Sequence, residues 1–257
     1  MIEDGRVFSF GQGENGQLGH GDRANATVPR QVDFRGVSIQ KVACGYDHVA
    51  AVSNKGQLYT WGCGTRGQLG HGDDRNMEEA LMRPKLVESL AGQEIIDVAC
   101  GGYHTAVITA NGFVYCFGDG QYGQLGFGTG VKTAGTPKAI AIPENKKVIM
   151  ISCGESHTAA LTDAFQICTW GSSSNGRLGQ DISKDKLAPT FIDSMAGKQA
   201  RTVVCGGAHT CATVTHGWVP DKEAKDCMAC KKRFTQVRRR VSGFVLFCSQ
   251  ALLSLFL

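Results

Sequence analysis

The sequence predicts an all-β protein, a partial β-propeller. Two phrases that recur in fixed order and the absence of a helical period predict it. The first phrase is an aromatic-glycine pair running into a glycine-rich turn: VFSFGQGENGQLGHG from Val7, LYTWGCGTRGQLGHG from Leu58, VYCFGDGQYGQLGFG from Val114 and ICTWGSSSNGRLGQ from Ile167. The second lies between them: VACGYDHVAAV from Val42, VACGGYHTAVI from Val98, ISCGESHTAAL from Ile151 and VVCGGAHTCAT from Val203. The pairs Phe10-Gly11, Trp61-Gly62, Phe117-Gly118 and Trp170-Gly171 are 51, 56 and 53 residues apart, and His48, His104, His157 and His209 are 56, 53 and 52 apart. Two independent markers on one such period, each unit holding several short strands, form the pattern of propeller blades.

Within each unit the strands come from apolar alternation broken by turn residues. VAAVSNKGQLYTW from Val49 turns at Asn54-Lys55-Gly56, and ITANGFVYCF from Ile108 turns at Asn111-Gly112. That dipeptide predicts a tight hairpin with positive φ at both residues. Thr162-Asp163-Ala164 has no glycine and predicts a looser turn or one of another type. The GQLGHG segments put residues without a Cβ where backbone approaches backbone. Pro29, Pro84, Pro137 and Pro189 are expected to open the next strand of each unit.

Taken together, the two phrases resemble the regulator-of-chromosome-condensation repeat, over about residues 1–214. That family builds its repeats into a seven-bladed propeller, so the resemblance implies four blades of an expected seven. The first unit starts in mid-repeat, which predicts an open arc with two exposed faces. The chain is therefore expected to be a fragment of a longer product, with two chains completing one another as the alternative.

The formal net charge is +4, yet Asp221–Arg240 carries eight Lys or Arg against three Asp or Glu, leaving the rest near −1. Charge gives the repeat body no nucleic-acid role. No basic-then-apolar leader follows Met1, so a cytoplasmic protein is expected. Of the eleven cysteines, Cys44, Cys100, Cys153 and Cys205 share one apolar repeat position, which predicts small buried reduced thiols rather than a disulfide framework.

A histidine in every unit invites a metal or catalytic reading, but a catalytic centre is needed once. His48, His104, His157 and His209 read as structural repeat positions that cap or hydrogen-bond the inner strands. His20 and His71 give way to Phe127 and Gln180 in later units, so no chemistry common to all repeats depends on them. The family includes a plant ultraviolet photoreceptor with tryptophans just before the repeated histidine. Tyr46-Asp47, Gly102-Tyr103, Glu155-Ser156 and Gly207-Ala208 stand there instead, which excludes that reading. The three G-x-G-x-x-G strings precede no helix, so they are repeat turns and not a dinucleotide fingerprint.

Downstream of residue 214, residues 215–240 read as an incomplete FYVE-type zinc finger. WVPDKEAKDCMACKKRFTQVRRR resembles its opening, with Trp218 and Asp221 as W-x-x-D, Cys227 and Cys230 as C-x-x-C, aromatic Phe234, and Arg239-Arg240 beginning the basic box. The resemblance implies that Cys227 and Cys230 ligate zinc and that Arg239 and Arg240 bind phosphatidylinositol 3-phosphate in a complete finger. Val241-Ser242 interrupts the box and Cys248 alone remains downstream. Three cysteines cannot close a four-ligand site, so this chain is expected to hold no zinc stably. The apolar tail, 241–257, reads as a translated intron, since a splice donor translates as Val-Ser, or as a short membrane anchor after Arg238–Arg240.

The resulting expectation is a non-catalytic scaffold that binds protein partners through propeller loops, with endosomal membrane targeting in a full-length form. The family resemblance also implies a rival function, nucleotide exchange on a small GTPase. The family's exchange factor inserts a β-wedge, whereas the longest excursion here is Asp73 to Arg83 and has no such wedge.

Overall fold

A computed structural model describes residues 5–72, 80–181 and 184–215. These residues form antiparallel sheets of a partial β-propeller, and the chain through Thr215 is one compact unit. Three sheets are complete four-stranded meanders. The first contains β3 (Ile39–Cys44), β4 (His48–Ser53), β5 (Leu58–Gly62) and β6 (Leu81–Leu86). The second contains β7 (Ile95–Cys100), β8 (His104–Thr109), β9 (Val114–Asp119) and β10 (Thr133–Ile140). The third contains β11 (Val148–Cys153), β12 (His157–Thr162), β13 (Ile167–Gly171) and β14 (Lys186–Phe191).

A fourth set of strands is divided between the two ends. β1 (Phe8–Gly11) and β2 (Ala26–Gln31) pair at the start, while β15 (Gln199–Cys205) and β16 (Thr210–Thr215) pair at the finish. By their repeat phrases, the first pair corresponds to the two outer strands of a blade and the last pair to the two inner strands. Instead of four whole blades in a row, the arc has three whole blades between complementary halves.

The inner strands stand side by side, β3 against β7, β7 against β11 and β11 against β15. The core lies in the joints between sheets. Val32 and Phe34 pack on Val49, Ala51 and Trp61, and Ala50, Val52 and Leu58 pack on Val98, Val107 and Phe117. The next joint puts Ala106, Ile108 and Val114 against Ile151, Ala160 and Trp170. Trp61, Phe117 and Trp170 are at most 1% exposed, so each ring contributes about 1.5–3 kcal/mol through burial. The second strands of the complete sheets, β4, β8 and β12, are buried at every residue, as is the third strand β13.

Several local expectations change. The β8–β9 turn is Thr109-Ala110-Asn111-Gly112, closed by the Gly112 N–H donating to the Thr109 carbonyl, and positive φ falls on Gly112 but not on Asn111. The third hairpin is no looser. Phe165 N–H donates to Thr162 O in the same turn, with Phe165 at φ 60° in the position that glycine holds elsewhere. The inter-sheet fit fixes this conformation despite its steric cost of about 1–2 kcal/mol for an L-residue.

Pro29, Pro84, Pro137 and Pro189 lie within β2, β6, β10 and β14 rather than at their starts, each inside a stretch where register shifts. A bulge on an outermost strand tolerates a residue that has no N–H to donate. The repeated cysteine position is graded rather than uniformly buried. Cys153 is buried, Cys100 and Cys205 are half-buried and Cys44 is exposed on the first inner strand, and all four are free thiols. The glycine turns make the expected close approaches, since a Cβ on Gly67 (φ +78°) would sit 2.8 Å from Gly135 Cα.

Cys227, Cys230, Arg239, Arg240 and the apolar tail lie outside the described residues, as does most of the 73–83 excursion. No helix among the described residues is long and apolar enough to cross a membrane.

Candidate functional site

Three arrangements bring side chains together: one recurs buried in the joints, one recurs between glycine turn and strand, and one forms a single cluster on a loop rim. In the joints, His48 Nε2 lies 3.0 Å from Thr105 Oγ1, His104 Nε2 lies 2.9 Å from Thr158 Oγ1, and His157 Nε2 lies 2.9 Å from Thr210 Oγ1. Each histidine begins or precedes the second strand of one sheet, and its threonine belongs to the second strand of the next. The threonines in turn donate to the glycine-turn carbonyls of Gln68, Gln124 and Arg177 at 2.8, 2.9 and 2.8 Å. A hydroxyl has one hydrogen, and these hydroxyls spend it on a carbonyl. The imidazole Nε2 therefore carries a proton and donates.

The opposite ring nitrogen, Nδ1 of His48, His104 and His157, is buried without a hydrogen-bond partner. Burial pushes these pKa values down from 6.5, to about 4 for His48, about 3 for His104 and about 4 for His157. They are neutral near pH 7. Removed from solvent, they present no group to a substrate. His209 is exposed, and among the described residues no further sheet follows it. Among the described residues no cluster of three or more His, Cys, Asp or Glu is placed to hold a metal.

A second recurring pair sits on the sheet below each glycine turn. Ser9 Oγ meets His20 Nε2 at 2.8 Å, Thr60 Oγ1 meets His71 Nε2 at 3.0 Å, and Gln180 Nε2 donates to Thr169 Oγ1 at 2.9 Å. In the remaining unit both members are apolar, Cys116 and Phe127, eleven residues apart like the others. The pair changes character together, so these residues fasten turn to strand.

The rim is built from the turns between first and second strands and the loops after third strands. Its backbone is continuous: Tyr46 N–H donates to Gly102 O at 3.3 Å, Gly102 N–H to Glu155 O at 3.1 Å, and Glu155 N–H to Gly207 O at 3.0 Å. On this scaffold Tyr46, 53% exposed, meets the Tyr103 ring edge-on with centroids 5.5 Å apart. The Arg66 guanidinium lies 4.3 Å from the Tyr103 centroid and 3.2 Å from Asp119 Oδ2. Asp119 also accepts from Gln124 Nε2 at 3.3 Å. Burial first, and then a hydrogen bond and charge from Glu155, raise the Tyr46 pKa. Tyr122, 41% exposed, adds a third aromatic from the β9–β10 loop.

Sequence reading singles out the histidines but not their threonine partners, which stand 57, 54 and 53 residues away. A signal was available in the dipeptides His104-Thr105 and His157-Thr158. The rim is also missed, because Arg66, Tyr103 and Asp119 are brought together only by the curvature between sheets.

The family model described as the RCC1-like domain matches residues 1–220. Human HERC2, an E3 ubiquitin-protein ligase, is 37% identical over 222 residues, covering 85% of this chain and 4% of that protein. The ultraviolet-B receptor UVR8 of Arabidopsis thaliana is 37% identical over 220 residues, covering 82% of this chain and 49% of that one. The crystal structure of human WBSCR16 superposes with a TM-score of 0.74 at 28% identity, over 84% of this chain and 55% of that one. The chain thus spans about half, or far less, of the length of these relatives.

Proposed function

This chain belongs to the RCC1-like domain family, and from that premise we propose that it is a non-catalytic β-propeller scaffold that binds protein partners through one loop rim. The observation that carries this reading is the cluster of exposed Tyr46 and Arg66 about half-buried Tyr103, held on a backbone network that spans four sheets. Aromatic and arginine side chains dominate the energetics of protein interfaces, and loops on a rigid scaffold are where such folds carry function. The three buried histidines are structural joints in this reading, since they are neutral and sealed from solvent.

The full-length form carries a complete FYVE finger and is delivered to phosphatidylinositol 3-phosphate membrane, with Cys227 and Cys230 among its zinc ligands and Arg239 and Arg240 in its lipid-binding box. Support for this part is the local motif alone.

The test is affinity capture with the full chain, a variant with Tyr46→Ala, Arg66→Ala and Tyr103→Ala combined, and Phe113→Ala on the opposite side of the blade as control. Phe113 is 59% exposed in the β8–β9 hairpin. The reading expects partners lost from the rim variant and kept by the control. Partners equally retained by both variants would contradict it. Nucleotide release from a panel of small GTPases should be unchanged by the chain; faster release would replace the scaffold reading with exchange activity.

A further inference from the structure

The rim holds one finished seat for a guanidinium and one open seat. In the finished one, the Arg66 guanidinium lies 4.3 Å from the Tyr103 ring centroid and 3.2 Å from Asp119 Oδ2. An aromatic face and a carboxylate at its side are what a guanidinium uses, because it stacks on rings and its planar fork donates to carboxylate oxygens.

Tyr46 and Glu155 repeat these ingredients without the cation. The Tyr46 ring crosses the second sheet at Gly102, where an added Cβ would stand 3.3 Å from Tyr46 Cε2 and 2.8 Å from the Glu155 carbonyl oxygen. The missing side chain at Gly102 therefore lets a ring from the first sheet reach a residue of the third. Tyr46 is 53% exposed, and Glu155 is exposed as well. After burial, a hydrogen bond and charge from Glu155 raise the pKa of the phenol, and Arg177 opposes them. Among the described residues no cation is stacked on Tyr46. Arg66 is taken by Tyr103 and Asp119, and Arg177 is 8% exposed with its Nε donating to Ser174 O at 2.9 Å. The turns at 45–47, 101–103, 154–156 and 206–208 carry two charged residues, Asp47 and Glu155, and both are negative.

We propose that Tyr46 and Glu155 form a seat for an arginine side chain presented by an extended, basic segment of a protein partner. The guanidinium lies on the Tyr46 ring and donates to the Glu155 carboxylate, as Arg66 does with Tyr103 and Asp119 within the chain. Charge complementarity selects a basic segment, because an acidic one would meet Asp47 and Glu155 with like charge. Arginine fits better than lysine, whose ammonium has neither the plane that stacks nor the fork that pairs. This seat presupposes that the rim binds partners, as proposed above, and adds the chemistry that such a partner brings.

The experiment uses the full chain and two fluorescein-labelled peptides of glycine and serine, one with spaced arginines and one with lysines in their place. Binding is followed by anisotropy at low salt. The arginine peptide should bind about fivefold more tightly than the lysine peptide. Glu155→Gln and Tyr46→Leu should each weaken the arginine peptide about three- to tenfold and narrow its advantage over lysine. Tyr46→Phe keeps the ring and should keep the preference. Asp33→Asn removes an exposed carboxylate after β2 and should keep it too. Unfolding midpoints of all four variants should match that of the parent chain, because these side chains are exposed. Absence of binding, equal binding of the two peptides, or an arginine preference that survives Glu155→Gln would each overturn the seat. The rim reading fails separately, when affinity capture by the combined Tyr46, Arg66 and Tyr103 variant keeps every partner. Capture lost with that variant, beside peptides bound equally, overturns the seat alone.

Discussion

His104 Nε2 and the Thr158 hydroxyl stand 2.9 Å apart across the joint between the second and third sheets, and both side chains are fully buried. Thr158→Val keeps the shape but leaves the imidazole N–H unsatisfied. A loss of about 1–3 kcal/mol in unfolding free energy is expected, measured as a lower denaturant midpoint. Thr213→Val, at an exposed position of β16, should change it by less than about 0.5 kcal/mol.

The same joints make stability depend on acid. His48 and His104 are neutral when folded, with pKa lowered from 6.5 to about 4 and about 3 by burial, whereas the unfolded chain takes up protons near 6.5. The unfolded state then binds more protons, so their contribution is fully present above 6.5 and is lost as pH falls from there toward the folded values. Each of these two histidines should remove about 1.4 kcal/mol per pH unit in that window. Chemical denaturation at stepwise lower pH measures it, and His104→Gln should flatten the slope.

Gly101 and Gly207 are predicted to respond differently to alanine. A methyl at Gly101 would collide with the His104 ring and stand 2.5 Å from the Gly154 carbonyl, both parts of the joint, whereas nothing lies within 4 Å of one at Gly207. Gly101→Ala should therefore lower stability by about 1–3 kcal/mol or more, and Gly207→Ala should leave the thermal midpoint nearly unchanged.

Thiol labelling should sort the cysteines by their place in the arc. Cys211 is exposed, while burial raises the pKa of Cys168 to about 12 and of Cys205 to about 11. A small alkylating reagent followed by peptide mass spectrometry should modify Cys211 rapidly, and Cys116, Cys153 and Cys168 only after unfolding.

How far the sequence reveals the fold depends on whether a feature is local or arises between sheets. Strand positions follow from Trp61-Gly62 and its echoes, because period-2 alternation and glycine punctuation are written within a dozen residues. Pro189 misleads, since a proline reads as a strand opener while the bulged outer edge of β14 accepts it in mid-strand. Phe165 at φ 60° misleads likewise, because the fit against the next sheet, where the Ala200 N–H donates to Phe165 O at 3.0 Å, imposes a turn that its own residues do not favour. The histidine period was plain, but its meaning as geometry needed Thr105, Thr158 and Thr210 from neighbouring sheets. The cluster of Tyr46, Arg66 and Tyr103 follows from blade curvature, which no short segment encodes.

The central claim is that the repeated histidines hold blades together and leave function to the surface. Nitrogen-15 NMR of the histidine-labelled chain, recorded from neutral pH downward, tests it most directly. The account predicts that His48, His104 and His157 stay neutral with the proton on Nε2 down to pH values near the folded pKa of about 4 of His48 and His157. Protonation of the three near 6.5, or a proton on Nδ1 with Nε2 bare, would contradict it.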